Sequence, residues 1–163
     1  MARPSRRLWL GLGLTAAAGL AALLVARELN APTYGVAQAP RADAPACARI
    51  AKGYPATLGG HRLAGTDVPG VAVWGDKAVV LRCGLQPPAP TTDLCVTVNS
   101  VDWVYRQSES RDGRKVIITY GRDPAVEVTF NAQDTAVDSA LVELSRIVRP
   151  IHQSNHCIDS AGS

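Results

Sequence analysis

Three kinds of hydrophobic pattern succeed one another along the chain. Leu8 to Ala26 is a run of 19 residues without a charge. At 1.5 Å per residue it would make about 28 Å of helix, close to the ~30 Å hydrocarbon core of a bilayer. Asn30 to Ala46 then holds Pro32, Pro40 and Pro45 among small residues. Such a stretch has too little apolar surface to bury and reads as an extended linker. From Cys47 onward the apolar residues come in short bursts separated by turn residues.

Those bursts predict strands. Cys47 to Leu58 begins as a short helix that Gly53 and Pro55 interrupt, and Gly59 to Gly70 reads as loop. Strands are expected at Val71–Trp74, Ala78–Cys83, Leu94–Val98, Val101–Gln107, Lys115–Tyr120 and Ala125–Phe130. Turn signals separate them at Gly75-Asp76, Asn99-Ser100, Asp112-Gly113 and Gly121 to Pro124. In the last strand Val126, Val128 and Phe130 alternate with Glu127 and Thr129, the pattern of a half-buried strand. Val137, Leu141, Leu144, Val148 and Ile151 then recur every three or four residues, predicting a helix from about Thr135 to Ile151 capped by Asp134 or Thr135. The connections between strands are too short for parallel crossovers. The expected class is therefore α+β: an antiparallel sheet of about five strands, with the C-terminal helix on one face and a transmembrane helix in front.

Charge adds topology. Four of the 17 basic and one of the 14 acidic residues lie within the first 28 positions, leaving 13 of each sign beyond them. The basic character thus belongs to the N-terminus, and no basic face for nucleic acid is expected. Arg3, Arg6 and Arg7 precede the apolar run, which predicts a cytoplasmic N-terminus and an exported remainder. The run exceeds the usual length of a signal-peptide core, and its best small-x-small site, Ala37-Gln38-Ala39, is followed by Pro40. An uncleaved anchor is favoured over a cleaved signal. The predicted division is 1–7 cytoplasmic, 8–26 anchor, 27–46 linker and 47–163 extracytoplasmic domain in the cell envelope.

Four cysteines, Cys47, Cys83, Cys95 and Cys157, suit an exported domain with two disulfides. Three connectivities exist. Cys83 and Cys95 flank the Pro-rich stretch Gln86 to Pro90, and Cys47 and Cys157 bracket the folded region, so Cys83–Cys95 with Cys47–Cys157 is the favoured pair. No C-x-x-C spacing suggests zinc. His152 and His156 lie past Pro150 and lack a third ligand, so neither a metal nor a cofactor is expected.

Four stretches stand out together: Trp74-Gly75-Asp76, Val80-Leu81-Arg82-Cys83-Gly84, Val98-Asn99-Ser100-Val101-Asp102-Trp103, and Tyr120 to Val128. With an early Cys47 and a late Cys157 they resemble the actinobacterial "domain of unknown function 3515" family of small exported or membrane-anchored proteins. Ser100 stands where glycine would be expected before Val101. The resemblance implies location and architecture and no chemistry.

Arg82, Asp102, Trp103, Arg122 and Glu127 are the polar and aromatic residues of these stretches. Converging, they would make a ligand pocket, with arginine for an anionic group and tryptophan as a platform. The plainer reading is that the charges pair or cap carbonyls and the tryptophan fills the core. No Gly-x-Ser-x-Gly, Ser-x-x-Lys or phosphate-cradling loop is present. The leading expectation is a non-catalytic module that binds an envelope protein or a cell-wall component. The alternatives are an envelope hydrolase or transferase built on a carboxylate/Arg site, and an assembly role for the anchor helix itself.

Overall fold

A computed structural model describes residues 34–131, 133 and 135–158. The helix α1 (Pro45–Ala51) leads into the strands β1 (Thr57–Leu58), β2 (His61–Ala64), β3 (Val71–Trp74), β4 (Val79–Leu85), β5 (Cys95–Val98), β6 (Val101–Tyr105), β7 (Lys115–Thr119) and β8 (Ala125–Phe130), and the helix α2 (Val137–Val148) closes the chain. All neighbours are antiparallel, in the order β1-β2-β3-β4-β8-β7-β6-β5. Two four-stranded meanders therefore meet at the β4–β8 pair.

The α+β architecture matches expectation, but the sheet has eight strands where about five were expected. Beyond the six spans that the pattern marked, the addition is the β1–β2 hairpin, in a segment read partly as a broken helix and partly as loop. Its two-residue turn, Gly59-Gly60, takes positive φ at both positions. β2 has no buried position, so no burial alternation marks it. The Asn99-Ser100 turn also has positive φ at both residues, the geometry of a two-residue hairpin, and serine fills the expected glycine position.

Helix α2 lies on one face. Its buried residues Ala140, Leu141, Leu144 and Val148 pack with Trp74, Leu81, Val101, Trp103, Val126, Val128 and Phe130. Trp103 Nε1 donates to Ser145 Oγ at 2.9 Å and Trp74 Nε1 to the Pro55 carbonyl at 2.8 Å. The helix starts at Val137 after Ala136, without a side-chain cap; Thr135 instead lies 3.2 Å from His61 Nε2. β8 is buried at every position but Thr129. The expected half-buried strand is covered on both faces: Val126, Val128 and Phe130 lie under α2, while on the other face Ala125 packs with Val104 and Ile118 and Glu127 is enclosed by Arg82 and Arg106.

The second cover is an N-terminal strap. The Arg41 N–H donates to the Gly84 carbonyl at 3.0 Å, and Arg82 Nε donates to the Ala37 carbonyl at 3.1 Å. Ala39 and Ala42 are buried, and Tyr34 and Val36 pack on Val71, Val73 and Val80. Packed chain thus begins at least at Tyr34, ahead of the expected boundary at Cys47. Small residues that seemed fit only for a tether let this segment lie close against the sheet. Gly84, with φ +109°, has no room for a Cβ where the 41–42 backbone crosses β4. Among the described residues no helix is long and apolar enough to cross a membrane; the expected anchor, Leu8 to Ala26, lies outside them.

The disulfides correct the favoured pairing. Cys47 is joined to Cys83 and Cys95 to Cys157. β8, β7 and β6 separate β4 from β5, so at about 4.8 Å per strand Cys83 and Cys95 stand on the order of 19 Å apart, far beyond the ~7 Å Cα limit for a bridge. The Pro-rich stretch carries the chain across the sheet and does not return it to a neighbour. Non-reducing peptide mapping should yield Cys47–Cys83 and Cys95–Cys157 peptides, whereas a Cys83–Cys95 peptide would contradict the strand order. Replacing Cys95 and Cys157 with alanine should lower the unfolding free energy by about 2–5 kcal/mol in a urea titration.

Candidate functional site

The five sequence-predicted residues fall in four places. Trp103 is fully buried in the core under α2. Arg122 is 3% exposed, in the β7–β8 turn. Its Nη1 donates to the carbonyls of Arg149, at 2.9 Å, and Ile151, and its Nη2 to that of Ser100, at 2.9 Å. It ties the C-terminal end of α2, where carbonyls lack helical partners, to the β5–β6 turn. Burial pulls its pKa below the usual arginine value, and the Asp102 charge opposes that shift.

Asp102 is 3% exposed and sits beneath the C-terminal tail. Thr97 Oγ1 donates to its Oδ1 at 2.5 Å, and Gln153 Nε2 and the Cys157 N–H donate to its Oδ2 at 2.7 and 2.9 Å. His156 Nδ1 lies 3.3 Å from Oδ2. Burial alone would raise its pKa, but the hydrogen bonds from Thr97, Cys157 and Gln153, with His156 adding, hold the carboxyl below the usual range. His152 and His156, weighed above as metal ligands and set aside, lie beyond α2, and His156 belongs to this network. Among the described residues no three His, Cys, Asp or Glu side chains form a metal-binding group.

Arg82 and Glu127 do meet. They stand directly opposite in the β4–β8 pair, on the face away from α2. Arg82 Nη1 lies 3.2 Å from Glu127 Oε1, and Arg106 Nη1 lies 2.9 Å from Oε2. Arg106 also pairs with Glu109. Sequence reasoning missed Arg106, which lay inside the expected strand Val101–Gln107, because its partner Glu127 is 21 residues away, and missed Glu109 because it falls in the short 3₁₀ turn after β6, outside any strand pattern. Arg82, Glu127 and Glu109 of this network line a shallow cleft of about 340 Å³, together with Tyr34, Val36, Lys77 and Arg114. Three lining cations, Lys77, Arg82 and Arg114, stand against Glu109 and Glu127, so the cleft carries a net positive charge suited to an anionic group. Both Glu127 oxygens and both Asp102 oxygens are already held, so neither carboxylate stands free as a base.

These contacts give each of the four stretches noted in the sequence a physical job. Leu81 fills the core, Arg82 pairs across the seam, Cys83 bridges α1, and Gly84 lets the strap cross. Val101 and Trp103 are core on either side of the tail anchor Asp102. A Cβ on Gly121 would collide with the Asn155 carbonyl, which is why the turn before Arg122 takes glycine.

The family described as "Protein of unknown function (DUF3515)" matches residues 10–156. The chain belongs to this family. No curated protein and no solved structure matches the chain. Its DUF3515 membership therefore brings no assigned reaction, and the geometry carries the functional reading.

The Asp102 network makes a pH prediction. Its folded-state pKa is depressed, so it contributes stability that is present above the unfolded carboxyl pKa of about 4 and lost as pH falls through the folded value. Asp102→Asn should be less stable than the native chain at neutral pH, and the gap should narrow in acid. Thermal unfolding of both proteins from pH 7 to 2.5 measures this; a constant gap would contradict it.

Proposed function

We propose that this DUF3515 chain is an extracytoplasmic module of the cell envelope, held to the membrane by residues 8–26, that binds an envelope protein or cell-wall component without transforming it. The observation carrying this reading is that the four cysteines pair in two disulfides. Such bridges persist in oxidising compartments outside the cytoplasm. The uncharged run behind three arginines supports the same side of the membrane. The binding surface is the cationic cleft over Arg82 and Glu127, with Lys77 and Arg114 at its rim. An acidic or carboxylate-rich ligand suits it.

Crosslinking and affinity purification of the tagged full-length chain from its own membranes tests the reading. The expected result is a recurring stoichiometric partner, or retention on purified cell wall, reduced at least tenfold by Lys77→Glu with Arg114→Glu. Equal recovery with both rim charges reversed would overturn the assignment of the cleft. Recovery of neither partner nor cell wall would overturn the binding reading.

A further inference from the structure

We propose that β5 is a docking edge for a second copy of this chain, the two β5 strands pairing antiparallel about a two-fold axis at Val96. The argument concerns the sheet alone and is independent of the cleft.

Among the described residues the sheet ends at β5. Val98 and Val101 flank the two-residue Asn99-Ser100 turn and face each other. In such a hairpin they form a hydrogen-bonded pair, and the pattern alternates from there. Val96 therefore bonds inward to Trp103. Leu94 does the same, its carbonyl accepting from the Tyr105 N–H at 2.8 Å. Cys95 and Thr97 consequently turn their N–H and C=O groups outward, away from β6.

Proteins that remain monomeric blunt such edges with lysine, proline, a bulge or a very short strand. β1, at the opposite edge, has only two residues. β5 reads Cys-Val-Thr-Val, without charge or proline, and its register with β6 runs unbroken. Two of the large exposed hydrophobic residues lie along it, Leu94 at 66% and Val96 at 40% exposed. Val96 opposes Trp103, so Leu94, Val96 and Val98 all point to the side of the sheet that carries α2.

A second copy fits this edge because the strand is complementary to itself. Setting Cys95 opposite the partner's Thr97, and Thr97 opposite the partner's Cys95, satisfies all the outward groups of both residues. The same register places Val96 against the partner's Val96 and Leu94 against the partner's Val98, joining aliphatic residues on one face. Asp93 then meets the partner's Asn99, so no like charges oppose.

The register is tested by single cysteines in the full-length chain under mild oxidation. Val96 and its symmetry mate form a non-hydrogen-bonded pair, with Cα atoms about 4.5 Å apart and within disulfide reach. Val96→Cys should run as a reducible dimer on a non-reducing gel. Leu94→Cys should stay monomeric, because its own equivalent is about 13 Å away along the strand. Light scattering should find a dimer for the native chain and a monomer for Val96→Lys, which adds no thiol and tests the edge without disulfide scrambling. Equal crosslinking of both cysteine variants, a native monomer, or a dimer unchanged by Val96→Lys would overturn the proposal. So would crosslinking of Val96→Cys to a different protein, which would make the edge a site for another partner's strand.

Discussion

The pairing of β4 with β8 is the contact on which the rest of the domain depends. Each strand closes its own four-stranded meander, and Val79 opposite Phe130 brings together residues far apart in the chain. Neither disulfide crosses this seam. Cys47–Cys83 fastens α1 to β4, and Cys95–Cys157 fastens the tail to β5. The seam is held by its ladder of backbone hydrogen bonds, by Leu81, Val126, Val128 and Phe130 beneath α2, and by the Arg82–Glu127 pair above. Glu127 is nearly buried yet keeps its charge matched because two guanidinium groups reach it. The same ion pair therefore serves as both a join between the meanders and the floor of the cleft.

A second set of polar contacts governs the C-terminal end. Arg122 gathers the carbonyls at the end of α2, and Asp102 gathers the tail through Gln153 and Cys157. Each is a buried charge whose hydrogen-bonding groups are largely satisfied by nearby backbone or side chains, as burial requires. The bridge to Cys95 then secures a segment that carries little apolar surface of its own. Helix, tail and β5–β6 hairpin form one unit through these residues, and the outer edge of that unit is β5.

The local elements were legible because each had a period or a turn signal. All six expected strands and the amphipathic helix lie close to their expected spans, and the four strand-joining turns fall at the anticipated Gly, Asn and Asp residues. Non-local arrangement was less legible. The favoured disulfides followed nearness in sequence, whereas the strand order places β4 and β5 at a distance that forbids their bridging. The strap from Tyr34 looked like a tether because alanine and glycine bury little area, yet their small size is what permits close passage over Gly84. Among the candidate site residues only Arg82 and Glu127 come together. Trp103, Asp102 and Arg122 answer to core, tail and helix end, and their partners Ser145, Gln153 and Ser100 lie too far along the chain to be read from spacing.

Native-state hydrogen exchange resolved by residue tests the central role of the seam most directly. The account predicts the slowest exchange at the hydrogen-bonded amides of β4 and β8, with β1 and β2 opening at lower free energy. Faster exchange along β4–β8 than within the β5–β6 hairpin would show that the meanders are stable separately and would contradict the account.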